Sequence, residues 1–156
     1  KTTAFKSINS NRYVMKTMIT LLALLATAGS MSAENKYEER FEGVWQQVQY
    51  TKPDAAPIRL PVWKVMQTDG SFCTFLIANQ SGKSIITNEG TYKVTSDSTV
   101  VEHVTGSITD PTLVGKNNRI TYQFKDKDEV NVTYRMPGAS RDGHETWVRV
   151  KLEMPE

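Results

Sequence analysis

Beyond Gly43 the chain alternates apolar and polar residues with a period of two, the spacing of strands that bury one face. Ile120, Tyr122 and Phe124 alternate with Arg119, Thr121 and Gln123, and Val130, Val132, Tyr134 and Met136 with Asn131, Thr133 and Arg135. Near the end Thr146, Val148 and Val150 alternate with Glu145, Trp147 and Arg149. The pattern predicts eight strands: Val44 to Tyr50, Val62 to Gln67, Phe72 to Ala78, Gly90 to Thr95, Thr99 to Thr105, Arg119 to Lys125, Glu129 to Met136 and Glu145 to Leu152. Three breaks are short and polar: Thr68-Asp69-Gly70-Ser71, Ser96-Asp97-Ser98 and Asp126-Lys127-Asp128. Connections this short force antiparallel neighbours. The longer breaks, Thr51 to Pro61, Gln80 to Glu89, Ser107 to Asn118 and Pro137 to Gly143, are candidate rim or lid loops.

No segment after Gly43 sustains a helical period, which excludes β-α-β architecture. An open sheet of eight strands would leave two edges to protect, and closure removes both. The expected fold class is therefore all-β, an eight-stranded antiparallel up-and-down barrel, with room inside for packed side chains or one small ligand. Tyr37 and Phe41, four positions apart in the charged stretch Glu34 to Glu42, predict a short helix before the first strand.

The N-terminal region changes the picture of where the protein works. Met15-Lys16-Thr17-Met18 leads into an apolar run from Ile19 to Ala28, followed by small residues, which is the pattern of a secretory signal peptide. Its run of about ten apolar residues falls short of the ~20 that a bilayer-spanning helix needs. Cleavage is expected between Ala28 and Ala33. The only cysteine, Cys73, lies far from that region, so no lipoprotein attachment is expected. Residues 1–14 read as an over-extended or fragment N-terminus, 15–33 as the signal peptide and 34–156 as one barrel domain. The expected location is secreted or periplasmic, with no integral membrane segment in the mature chain.

The formal charge of +2 includes Lys1, Lys6, Arg12 and Lys16, in a stretch of 33 residues without Asp or Glu. What remains has 15 basic against 17 acidic residues and no basic run, which argues against nucleic acid as the partner.

Candidate chemistry is sparse. Cys73, between Phe72 and Phe75, reads as a small buried hydrophobe. His103 and His144 stand 41 positions apart with no ligand spacing around them, so no metal is expected. Glu102-His103 and His144-Glu145 place acid beside imidazole, but neighbours on a strand point to opposite faces. The chain carries no nucleophile elbow, P-loop or dinucleotide fingerprint, and no cofactor is expected. Trp45, Trp63, Tyr92, Tyr122, Tyr134 and Trp147 either fill the barrel or partly line a cavity that stacks a flat or apolar ligand. In the second case the candidate cavity residues are Trp63, His103, Tyr122, Tyr134 and Arg135, with His103 or Arg135 orienting the ligand.

Phe41-Glu42-Gly43-Val44-Trp45 opens the first strand and Glu145-Thr146-Trp147-Val148-Arg149-Val150 forms the last. This arrangement resembles the lipocalin and calycin superfamily, in which a tryptophan of the first strand closes the barrel floor and a basic residue of the last strand packs across it. The resemblance implies that Trp45 and Arg149 are that pair. A likeness covering residues 38 to 151 adds Ile86-Thr87-Asn88-Glu89-Gly90-Thr91-Tyr92-Lys93, Ser96-Asp97-Ser98 leading into Glu102-His103, and Lys116-Asn117-Asn118 before a strand. By these residues the chain is similar to an uncharacterised lipocalin-like family of secreted Bacteroidales proteins, number 4488 among the domains of unknown function. That likeness implies a fold and a compartment and no activity.

The function expected is noncatalytic binding of a small apolar or amphipathic molecule inside the barrel. An interaction or structural module of the cell envelope, working through the Thr51 to Pro61 and Ser107 to Asn118 loops, is the alternative. A cavity enzyme is a third class, with Glu102, His103, Tyr134 and Arg135 as first suspects.

Overall fold

The computed structural model describes residues 38–77 and 82–154. The expected signal peptide 15–33, the residues before it, positions 34–37 of the expected helix, and Ala78 at the end of the third expected strand lie outside the described residues. Eight strands follow one another: β1 (Gly43–Gln49), β2 (Ile58–Met66), β3 (Ser71–Ile77), β4 (Ser84–Val94), β5 (Thr99–Ser107), β6 (Asn117–Phe124), β7 (Glu129–Tyr134) and β8 (Gly143–Arg149). Each pairs antiparallel with the next, and β1 pairs with β8, so the sheet closes as an up-and-down barrel. This is a lipocalin-like architecture.

Because direction reverses at every strand, alternate connections share an end. The three tight turns gather at one end, where side chains stand in for missing ladder partners. The Asp69 carboxylate accepts from the backbone N–H and the hydroxyl of Ser71 (2.9 and 2.7 Å), and that of Asp126 accepts from the backbone N–H groups of Asp128 and Glu129 (2.7 and 2.8 Å). The four longer connections gather at the opposite end. One of them carries a 3-10 turn, Pro111–Leu113, capped by Asp110 and burying Leu113.

The turn end is sealed. Of the helix expected before the first strand, the described residues 38–42 make one turn, with Phe41 and Glu42 donating backbone N–H to the Glu38 carbonyl. Gly43 ends it with φ of 112°, a left-handed conformation that a side chain would strain, and an added Cβ would stand 2.7 Å from the Arg149 guanidinium. The turn drops Phe41, fully buried, into the barrel opening at this end, edge-on to Tyr122 and Phe124 with ring centroids 5.2 Å away in each case. Trp45 donates its indole N–H to the Phe41 carbonyl (2.9 Å). Arg149, directly opposite Trp45 in the β1–β8 ladder, lies with its guanidinium carbon 4.2 Å from the indole centroid. It also donates to the carbonyls of Glu42, Arg40 and Lys127, tying the first turn to the β6–β7 turn. Three charge-assisted hydrogen bonds and a stacked guanidinium thus cap carbonyls that the closing strand leaves unpaired.

At the loop end several strands run further than expected. β2 starts at Ile58 rather than Val62, and β4 at Ser84 rather than Gly90. The early part of β2 holds Pro61, which has no N–H to give a ladder. Pairing with β1 shifts register there, between Gln46 and Val48, and the Gln46 side chain donates to the orphaned Leu60 carbonyl (2.9 Å). Further register shifts set off Thr87 in β4 and Thr105 in β5, whose hydroxyls donate to the Thr74 and Glu89 carbonyls. These bulges break the period-two pattern, which is why the sequence reads 80–89 as a loop.

Candidate functional site

Between the sealed floor and the loops the barrel encloses a cavity of about 500 Å³. Its lower wall is apolar, built from Trp45, Met66, Phe72, Ile120, Val130 and Trp147. Val62, Leu76, Val104, Val132 and Met136 continue it upward, and Leu113 reaches in from the 3-10 turn. Polar side chains also line the cavity, among them Gln47, Thr74, Asn88, Asp110 and Asn118, and two hydrogen-bonded clusters of ionisable side chains stand out.

The first is an ion pair inside the barrel. Lys64 of β2 bonds through Nζ to Glu102 Oε1 of β5 and approaches the Tyr122 hydroxyl at 3.4 Å, and the Tyr122 hydroxyl in turn points at Met66 Sδ (3.8 Å). Burial works against the ammonium, but the Glu102 carboxylate and the Tyr122 hydroxyl together outweigh it and hold Lys64 above the ordinary lysine range. Burial and the Glu102 charge push the Tyr122 hydroxyl up to about 12, against the opposing pull of Lys64. All three polar groups therefore answer one another, which a low-dielectric interior demands.

The second lies nearer the loops. Glu145 of β8 receives one hydrogen bond on each carboxylate oxygen, from the Tyr134 hydroxyl (3.0 Å) and from the Trp147 indole N–H (2.9 Å). Gly143, the ladder partner of Tyr134, makes this possible. An added Cβ there would stand 2.5 Å from the tyrosine ring, so only glycine lets the ring lie across β8 toward Glu145. Burial and the Glu145 charge push the Tyr134 hydroxyl up to about 12.

Of the candidate cavity residues, Tyr122 and Tyr134 line the cavity, while Trp63, His103 and Arg135 do not. In β2 the inward face is Val62, Lys64 and Met66, so Trp63 points outward and packs against its ladder partner Phe75, with ring centroids 6.2 Å apart. His103 is exposed, its Nδ1 2.9 Å from Asn117 Oδ1, because its neighbour Glu102 takes the interior. Arg135 follows β7 at the surface and donates to Asp142 (2.6 Å). Cys73 also departs from expectation. With Phe72 and Thr74 facing in, it sits half-buried on the outer face, where burial and then the Glu89 charge push its thiol up.

Sequence reasoning missed Lys64 and Glu145 as cavity residues. The signal for Glu145 was present, since it shares its strand face with Trp147 and Arg149. Lys64 gave none, because β2 carries apolar residues on both faces.

Residues 40–156 match the profile of the domain of unknown function DUF4488, a span running from the floor turn through all eight strands. The chain belongs to this family. No curated protein matches it. The DUF4488 fold seen here is thus a closed eight-stranded barrel around a cavity of about 500 Å³ whose wall mixes apolar and polar side chains.

Proposed function

We propose that this protein is a noncatalytic carrier or scavenger of a small amphipathic molecule, held inside the barrel. The observation that supports this reading best is the cavity of about 500 Å³, within the range of about 300–1,000 Å³ typical of small-molecule sites. Its wall is mostly apolar with a few fixed polar groups, the composition that gives affinity through burial and orientation through hydrogen bonds. The signal-peptide pattern at 15–33 supports a secreted or periplasmic location, with the mature chain starting between Ala28 and Ala33. Intact mass of the protein from an envelope or culture fraction checks this. A chain that keeps Met15, or carries a lipid, overturns it.

The binding test uses N-phenyl-1-naphthylamine, a neutral probe whose fluorescence rises in apolar surroundings. Saturable one-to-one binding is expected, and it should disappear in Val132→Trp, which fills the void from β7. No saturable binding, or binding that survives in a folded Val132→Trp protein, overturns the reading.

A second reading, an interaction module, draws support from the loop end. Ile58, Ile85, Ile86, Ile108 and Val114 are all exposed there. In-cell crosslinking from a photoreactive residue at position 85 tests it, with a discrete protein adduct supporting it and none counting against it.

A further inference from the structure

The two polar stations of the cavity differ in a way that bears on what it holds. At the lower one a carboxylate meets an ammonium, and the charges of Glu102 and Lys64 cancel. At the upper one the Glu145 carboxylate meets only neutral donors, the Tyr134 hydroxyl and the Trp147 indole. Among the described residues Glu145 makes no ion pair, and its sequence neighbour His144 faces away, its Nδ1 3.2 Å from the Thr133 hydroxyl.

A carboxylate offers about four lone-pair sites, and two are taken here, one on each oxygen. Holding it on two rigid donors fixes its direction without neutralising its charge. A cation brought against it would meet the two remaining lone-pair sites and gain a charge-assisted contact. The cavity also places aromatic rings around that charge, those of Tyr134 and Trp147 themselves, with the apolar wall below. Carboxylate and aromatic faces together suit an organic ammonium, whose N–H or N–CH₃ groups meet both. An anionic head meets no unpaired cation, because among the described residues Lys64 is the only lysine or arginine lining the cavity and Glu102 already holds it.

We infer that Glu145, with Tyr134 and Trp147, is the subsite for the cationic head of the ligand, and that the cavity takes an amine with an apolar body. This inference rests on the cavity being a ligand site, and it names the class of ligand. The apolar body lies toward Trp45, Met66 and Val130, and the ammonium sits near the loop end, where Asp110 adds a further carboxylate to the wall.

The test is displacement of bound N-phenyl-1-naphthylamine by three competitors with one apolar body and different heads: dodecylammonium, dodecanol and dodecanoate. Dodecylammonium should displace the probe at a concentration about tenfold below that of dodecanol, the scale of one charge-assisted hydrogen bond, and dodecanoate should be weakest. Glu145→Gln, which keeps the shape and removes the charge, should still bind probe and dodecanol while the ammonium loses its advantage. If the probe binds but dodecylammonium and dodecanol displace it equally, the subsite is overturned and the cavity reading stands. If the probe does not bind, both fall. An ammonium preference that persists in Glu145→Gln also overturns the subsite. The comparison within the unaltered protein decides the matter even if a variant fails to fold.

Discussion

The two ends of the barrel are built from the same eight strands and have opposite characters. At the floor, strands are joined by tight turns, Phe41 plugs the opening, and Arg149 stacks on Trp45 while gathering three carbonyls. At the mouth, strands overrun their regular register into bulges, the connections are long, and isoleucines face outward. A barrel needs one end that holds its shape and, if it binds, one end that admits a ligand. Stability is therefore expected to concentrate at the floor and around the buried ion pair, with substitutions at the mouth nearly free.

The largest effects should come from the lower half. Trp45→Ala removes a buried indole that touches Phe124, Phe41 and Arg149, and should cost about 3 to 5 kcal/mol, the range of large aromatic truncations in cores. A urea midpoint that does not move would break the contrast at its root. Lys64→Met leaves the Glu102 carboxylate inside the barrel without its partner, and breaking a buried pair in this way costs about 3 to 5 kcal/mol. Adding Glu102→Gln should recover much of that loss in the same denaturation experiment. If the double variant is as unstable as the single one, packing of Lys64 rather than its charge is what matters.

Arg149→Lys comes next, at about 1 to 2 kcal/mol, because an ammonium keeps the charge but cannot lie flat on the indole, and its single nitrogen cannot reach the three carbonyls that Nε, Nη1 and Nη2 serve. A change below the error of the midpoint would mean that the guanidinium contacts are dispensable.

Alkaline titration probes the interior by another route. Tyr122 and Tyr134 are pushed from the ordinary 10.0 up to about 12, so the folded state keeps those protons where the unfolded chain has lost them. Below pH 10 both states hold the proton and nothing changes. Between pH 10 and 12 the unfolded state binds fewer protons than the folded one, so stability should fall with rising pH. Tyr122→Phe should flatten part of that fall in denaturation curves taken across the window, and an unchanged slope would contradict the assignment. The smallest effect belongs to the mouth. Ile85→Ser, at a half-exposed position, should stay within about 0.5 kcal/mol of the parent protein, as surface substitutions do. A loss comparable to that of Arg149→Lys would erase the contrast between the ends.

Much of this contrast can be traced in the chain itself. Long and short breaks alternate along it, and in an up-and-down barrel alternate connections lie at one end, so a loop end and a turn end follow from counting. The Gly-x-Trp of the first strand and the arginine of the last mark the floor, and strands β5 to β8 lie close to where period-two alternation puts them. The bulged starts of β2 and β4 escaped because an inserted residue resets the alternation that reveals a strand.

What the sequence determined by itself was the fold class, the number and order of strands and the polarity of the barrel, since these depend on periodicity and on turn residues read locally. The tertiary structure alone decided the lining of the cavity. Alternation divides a strand into two faces without saying which is inside when both carry apolar residues, and in β2 the ladders with β1 and β3 turned Lys64 inward and Trp63 outward. The partners that make a buried lysine tolerable, Glu102 and Tyr122, lie 38 and 58 positions away. Only closure of the barrel brings them within reach, because a buried charge is satisfied by neighbours in space and not by neighbours in sequence.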